Sequence, residues 1–288
     1  MANVWDAMKK HKAEHGATSP PTPAPAAGPA PAPTTGVRAA MEVAGIDVTA
    51  PPPRPSRASL LPPAGSNGYA QSLVPHHDRG GAIAEEYRAL RTNLLAQYAD
   101  ERFCLLITSA EAGEGKTIST LNLALVLAER QERRTVVIDA DLRKRTIASL
   151  LHIDNVPGLA DVLRGDARLD AIVRPTAYPN LFVVPAGQSK QAEVGELLGR
   201  PELEEAVAEL RRRYDYVLFD TPPITIASDA GMLGRATREA LLVVRMNKTR
   251  RESVDRAIGL LHAANVKPVG MILTHQRYYI PNYLYRYS

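Results

Sequence analysis

The chain has 288 residues, is 45% hydrophobic, and carries a formal charge of 35 − 31 = +4. One cysteine, Cys104, excludes an internal disulfide and a cysteine-based zinc site, and no run reaches the ~18 to 20 consecutive apolar residues of a membrane span. The charge divides as 6 − 4 = +2 over residues 1–75 and 29 − 27 = +2 over the rest, with no basic stripe, so no nucleic-acid partner is expected.

The first residues, MANVWDAMKKHKAEHG, lack the apolar centre of a signal peptide, which predicts a soluble protein in the cytoplasm. Of the 23 prolines, 14 fall within residues 1–75, and this arm is predicted to be disordered. Its stretch ATSPPTPAPAAGPAPAPTT, residues 17–35, favours extended polyproline II and reads as a spacer. Two islands, 4–8 with Trp5 and Met8, and 37–48, have the composition of docking peptides.

A folded domain is predicted over 76–275. It opens on an amphipathic helix in which Ile83, Tyr87, Leu90, Leu94 and Tyr98 recur at spacings of three and four. Strands are then expected at 103–108, 135–139, 181–185, 214–220, 240–246 and 268–274. Helices are expected between them at 116–130, 158–165, 192–198, 202–213 and 251–264. Short apolar runs separated by helices imply parallel strands buried on both faces, hence a doubly wound, mainly parallel α/β sheet. Ligands of such sheets sit beyond the carboxyl ends of the strands, which is where the candidate chemistry lies.

After the first strand comes Ala110-Glu111-Ala112-Gly113-Glu114-Gly115-Lys116-Thr117-Ile118, a phosphate loop of the Ala/Gly-x4-Gly-Lys-Ser/Thr form. Glycines let backbone N–H groups turn onto a phosphate at a helix N-terminus, Lys116 adds a point charge, and the Thr117 hydroxyl can hold magnesium. The second strand ends in Asp139-Ala140-Asp141-Leu142-Arg143. Carboxylates two residues apart share a face if strand geometry persists, and otherwise cap the following helix. Asp220 ends another buried run, YVLFD, in the position of a Walker B acid.

Together AEAGEGKT, VVIDADLR and VLFDTPP resemble the bacterial tyrosine kinases of capsule and exopolysaccharide systems, a P-loop family of the deviant Walker type, over about residues 79–288. EEYRALRTNL, GLADVLRG, VVPAG followed by ELL, and SDA occur in the family's order. The resemblance implies ATP and Mg2+ as cofactors, with Ala112 to Ile118 and Arg143 at the nucleotide. Lys116 would neutralise phosphates, and Thr117, Asp141 and Asp220 would hold the metal. Asp139 would accept the tyrosine proton, although base and metal partner are not separable among the three acids on sequence.

The family autophosphorylates a C-terminal tyrosine cluster. Here the tail, 276–288, holds Tyr278, Tyr279, Tyr283, Tyr285 and Tyr287, broken by Pro281 and Asn282. Glu85-x-x-Arg88-x-x-Arg91 matches the family's oligomerisation motif and implies a ring-like homo-oligomer, while its plainer reading is a salt-bridged helix face. Further implied partners are a separate membrane polysaccharide copolymerase, whose cytoplasmic segment activates the kinase at the inner face of the membrane, and a phosphotyrosine phosphatase.

Two departures stand out. Thr274-His275 follows the last strand where the family often has an asparagine near adenine, and Glu193-Val194 replaces Asn-Pro before Glu-Leu-Leu. The rival readings are a partition or division-site ATPase, which usually carries a lysine where this chain has Glu111, and a nucleotide-binding regulator with little kinase activity.

Overall fold

The computed structural model describes residues 68–276. The predicted docking islands, most of the arm, and all five tail tyrosines lie outside the described residues. In chain order the described part comprises α1 (Val74–His77), α2 (Ala82–Leu95), β1 (Phe103–Ser109), α3 (Lys116–Leu127), β2 (Thr135–Asp139) and α4 (Ile147–Leu151). It continues with α5 (Leu159–Arg164), α6 (Leu169–Ile172), β3 (Arg174–Pro175), β4 (Leu181–Val184), α7 (Val194–Leu198) and α8 (Pro201–Arg213). The last elements are β5 (Tyr216–Asp220), α9 (Asp229–Thr237), β6 (Glu239–Arg245), α10 (Arg251–Ala263) and β7 (Lys267–Thr274).

The strands form one sheet in the order β3-β4-β2-β5-β1-β6-β7. All neighbours run parallel except the two-residue edge strand β3, which pairs antiparallel with β4. The central strands are apolar on both faces because each face is covered. Cys104, Leu106, Val136, Ile138, Val217 and Phe219 face one core, while Leu105, Ile107, Val137, Tyr216 and Leu218 face the other. Alternate residues of a strand point to opposite sides, so a continuous apolar run serves two cores at once. Cys104 is free and buried in the first of them.

The predicted elements agree with the observed ones to within one or two residues, apart from α3, which stops at Leu127. The helix α2 is displaced from its predicted stripe: Ile83 is 50% exposed, and Tyr98 lies past the helix end, where its hydroxyl donates to Glu239. The folded unit also reaches back before residue 76. Tyr69 and Leu73 are buried, and the Asn122 amide donates to the Ser72 carbonyl. Arg211 and Arg213 at the end of α8 do more than meet solvent. Arg211 donates to the Thr237 carbonyl, and Arg213 pairs with Asp170 and Glu209.

Candidate active site

The carboxyl ends of β1, β2 and β5 lie side by side, so the segments that follow them share one edge of the sheet. Asp139 and Asp220 are register partners on β2 and β5, and Ile107 of β1 pairs with Asp220. Between β1 and α3 the loop 110–115 turns through two left-handed glycines, Gly113 at φ 78° and Gly115 at φ 93°. A side chain at either position would meet backbone strain. Gly115 caps α3, so Lys116 and Thr117 begin that helix beside the acids.

Lys116 is buried at this edge. Burial pushes its ammonium below the ordinary lysine range, opposed by the negative charges of Asp220 and Asp141. The Thr117 hydroxyl donates to Asp220 Oδ2 at 2.7 Å, and Thr120 donates to Oδ1 at 3.4 Å. Asp220 is fully buried, and desolvation raises its pKa to about 7 despite the Thr117 hydrogen bond and the Lys116 charge. Asp139 is raised well above the usual carboxylate range, first by burial and then by the neighbouring Asp220.

Strand geometry does not persist to Asp141, because β2 ends at Asp139. Both acids instead accept backbone donors from the turn into α4: Asp139 Oδ2 from Ile147 N at 2.9 Å and Asp141 Oδ1 from Lys144 N at 3.1 Å. Asp139 Oδ1 is left buried with no hydrogen-bond partner. A buried carboxylate oxygen without a donor is costly; Asp139 pairs in register with Asp220, whose carboxylate accepts from the Thr117 hydroxyl, and carboxylates with a hydroxyl are the donor set of a hard cation. The residues thus fit Mg2+. Among the described residues no three His, Cys, Asp or Glu side chains converge into a metal cage. Magnesium suits this arrangement because it keeps waters and shares its shell with phosphates rather than filling an all-protein cage.

The side chain of Glu114, in the middle of the phosphate loop, turns back into the protein. Buried to 1% exposure, its carboxylate accepts from Glu111 N at 2.6 Å, from Arg245 N at 3.2 Å and from the Thr249 hydroxyl. Its carbonyl accepts from the Thr274 hydroxyl at 2.8 Å. One residue therefore ties the loop to the ends of β6 and β7. Glu114→Ala leaves these donors unpaired and is expected to cost about 1–3 kcal/mol. It should also weaken binding of a fluorescent ADP analogue at least tenfold, as read by titration. Unchanged affinity would show that the loop holds its shape without the anchor.

Both departures from the family pattern are built into local structure. Thr274 packs against Gly115 and holds the Glu114 carbonyl, and exposed His275 turns the chain in a left-handed conformation. Glu193 accepts from Lys190 N at 2.8 Å and from Arg164 at 3.2 Å, while Val194 is buried.

Arg143 leaves the β2 loop to form a two-pronged pair with buried Asp229 at 2.6 and 3.1 Å, and it also donates to the Gln191 side chain at 3.1 Å. The SDA stretch is visible in sequence, but nothing there connects Asp229 to Arg143, 86 residues away. Arg143→Ala strands a buried carboxylate and is expected to lower stability by about 1–3 kcal/mol, read from urea unfolding. Arg143→Ala/Asp229→Ala should recover part of that loss.

Away from the sheet edge, Glu85, Arg88 and Arg91 share a face of α2. Arg88 pairs with Glu85 at 2.5 Å, and both arginines also reach Glu129 just past α3, at 2.6 and 2.8 Å. Burial would push the Glu129 carboxyl up, but the hydrogen bonds from Arg88 and Arg91 hold it below its ordinary value. Glu129 carried no signal in sequence, because it belongs to no motif and lies 38 residues from Arg91.

A family model described as an AAA domain matches residues 104–244. The tyrosine-protein kinase YwqD of Bacillus subtilis is 34% identical over 195 residues, covering 67% of this chain and 81% of that protein. The tyrosine-protein kinase Wzc of Salmonella typhi is 32% identical over 240 residues, but the chain spans 33% of its length. Among solved structures, the kinase domain of the Escherichia coli tyrosine kinase ETK superposes with a TM-score of 0.67 at 30% identity, covering 73% of this chain and 84% of that one. The septum site-determining protein MinD of Pyrococcus horikoshii, complexed with Mg-ADP, gives 0.53 at 28% identity over 63% of this chain and 75% of that one. With a relative of this identity covered over four-fifths of its length, and with phosphate loop, paired acids and Walker B acid gathered on one sheet edge, the chain belongs to the bacterial tyrosine-protein kinase family.

Proposed function

We propose that the chain is an ATP- and Mg2+-dependent protein tyrosine kinase that phosphorylates its tail tyrosines, Tyr278, Tyr279, Tyr283, Tyr285 and Tyr287, between copies, and thereby regulates polymerisation and export of a capsular or exocellular polysaccharide. The observation that carries it is buried Lys116 beside Asp220 at the end of the sheet, with the half-buried Thr117 hydroxyl donating to Asp220 and the buried Asp139 and Asp141 at the neighbouring strand end. Magnesium, when bound, would neutralise phosphate charge, held by Thr117, Asp141 and Asp220. The loop N–H groups of Ala112 to Ile118 cradle the phosphates, and Lys116 supplies a fixed positive charge. Arg143, already paired with Asp229, orients the loop that follows β2.

Asp139 takes the tyrosine proton. A phenol of pKa ~10 needs a base to react at neutral pH, and burial makes the Asp139 carboxylate more basic than an exposed one. Incoming cations favour its ionised form.

The resemblance further supports a ring of copies assembled through Glu85, Arg88 and Arg91. It also supports a separate membrane copolymerase that recruits the kinase to the inner face of the membrane, and a phosphatase that resets the tail. Among the described residues no helix is long and apolar enough to cross a membrane. Against the positioning-ATPase reading stands Glu111. Its carboxylate accepts from the Ser253 hydroxyl at 2.8 Å and occupies the slot where those ATPases carry a lysine.

The test is incubation of the purified full chain with ATP and Mg2+, with and without the cytoplasmic segment of the partner, reading phosphotyrosine by mass spectrometry. Phosphate on residues 278–287 is expected, and it should disappear when all five tyrosines are phenylalanine. ATP hydrolysis without phosphotyrosine would transfer the assignment to the positioning ATPases.

A further inference from the structure

Beside the phosphate loop, the turn from β6 into α10 gathers positive charge. Residues 245–256 contain Arg245, Lys248, Arg250, Arg251 and Arg256 against Glu252 and Asp255, five minus two for a net +3. Lys248, Arg250 and Arg251 are exposed, and the turn is made by Asn247 in a left-handed conformation. Arg251 has a loose contact with Asp255 at 3.7 Å, and among the described residues Arg245, Lys248 and Arg250 pair with no carboxylate. Two loop acids lie against the same turn: Glu111 accepts from the Ser253 hydroxyl, and buried Glu114 accepts from the backbone N–H of Arg245 and the Thr249 hydroxyl, so counting both leaves five minus four, a net +1, with the cations on the exposed side. The first turn of α10 has no side-chain cap, which leaves backbone N–H groups on the same surface.

The end of the sheet brings the rest of the chain to this place. Thr274 is the register partner of Arg245, and Met246 N donates to the Thr274 carbonyl at 3.0 Å. The following residues 277–288 hold Arg277 and Arg286, five tyrosines and no Asp or Glu, a formal +2. A phosphotyrosine adds about −1.5 to −2. Two phosphates therefore turn the segment to about −1 to −2, and five to about −5.5 to −8. Extended at about 3.3 Å per residue, the segment can reach every cation of the patch.

We propose that Arg245, Lys248, Arg250 and Arg251 form a docking surface for the chain's own tail, residues 277–288, in its tyrosine-phosphorylated form. The unmodified tail is repelled and free to serve as substrate; the phosphorylated tail is attracted and withdrawn as product. This rests on the reading of the tail as the phosphorylated segment, but the surface can be probed without any kinase activity.

The probe is a synthetic peptide of residues 277–288 carrying phosphate on Tyr279, Tyr283 and Tyr285, titrated by fluorescence anisotropy against the dephosphorylated full chain. Saturating ADP and Mg2+ keep the phosphate loop occupied. The phosphopeptide is expected to bind at least tenfold tighter than the unmodified peptide and to weaken as salt rises. Lys248→Glu/Arg250→Glu should lose at least tenfold, with Arg250→Ala as a milder variant, both checked by thermal melting and ADP-analogue affinity. Equal affinity for both peptides, or a double variant that binds like the parent, overturns the proposal. Docking of the peptide by a chain that makes no phosphotyrosine would uphold the surface and defeat the kinase reading. Phosphotyrosine without docking would do the reverse.

Discussion

Lys116→Met is expected to reduce tail phosphotyrosine by about 100- to 1,000-fold, the range for losing one preorganised charge at a phosphoryl-transfer site. Mass spectrometry after ATP and Mg2+ incubation reads the loss. The fold should persist, because the lysine stem is already buried and its ammonium is held there against a desolvation cost. Methionine keeps the length of the stem and removes that cost. The substitution also removes the charge that partly offsets the burial of Asp220, so the Asp220 carboxyl should titrate at still higher pH in the variant. A variant that folds and phosphorylates its tail at the parent rate would remove Lys116 from the reaction.

Asp220→Asn separates stability from activity. In the chain free of metal and nucleotide, Asp220 has a folded pKa of about 7 against 3.8 for an ordinary aspartate. A carboxyl with a raised folded pKa binds more protons folded than unfolded, so stability falls as pH rises from about 4 to about 7 and then levels. The size at pH 8 is on the order of a few kcal/mol. Asp139 contributes a slope of the same sign and is itself raised by the Asp220 charge, so asparagine at 220 reduces both contributions. Urea unfolding between pH 4.5 and 8 should show a steep decline in the parent and a shallow one in Asp220→Asn, which should be the more stable protein at neutral pH. Phosphotyrosine formation should fall at least about 100-fold in the same variant. An unchanged slope would mean that Asp220 ionises as an exposed carboxylate does. Mg2+ with ADP should flatten the parent's profile, since cations near the acids favour their charged forms.

The sequence was most informative where burial is symmetric. Apolar runs such as Phe103 to Thr108 and Val136 to Ile138 are short, flanked by turn residues and packed on both faces, and each ends at the sheet edge that holds the candidate site. That is why the sheet, the loop 110–118 and the three acids were legible. What escaped depends on contacts between distant residues. Helix α9 and the edge strand β3 are short and carry no clear period, and Ile83 fitted a helical stripe although its position on α2 faces solvent. Within the phosphate loop, the resemblance places Glu114 at the nucleotide along with the rest of residues 112–118. Only the fold discloses that its carboxylate points away toward Arg245 and Thr249. The pairing of Asp139 and Asp141 with the turn into α4 was one of two readings of the i,i+2 spacing, and the end of β2 at Asp139 decides it.

The fork of Arg88 and Arg91 on Glu129 has a consequence for self-association. Within a single copy, both arginines already have a carboxylate. If copies assemble through this motif as proposed, a neighbour's acid would compete with Glu129 for the same guanidinium groups, so assembly would exchange one acid for another rather than create a new pair. The net free energy of such an exchange would be small, and a ring built on it would come apart on dilution or a modest charge change. Glu129 would then act as an internal competitor for the contact.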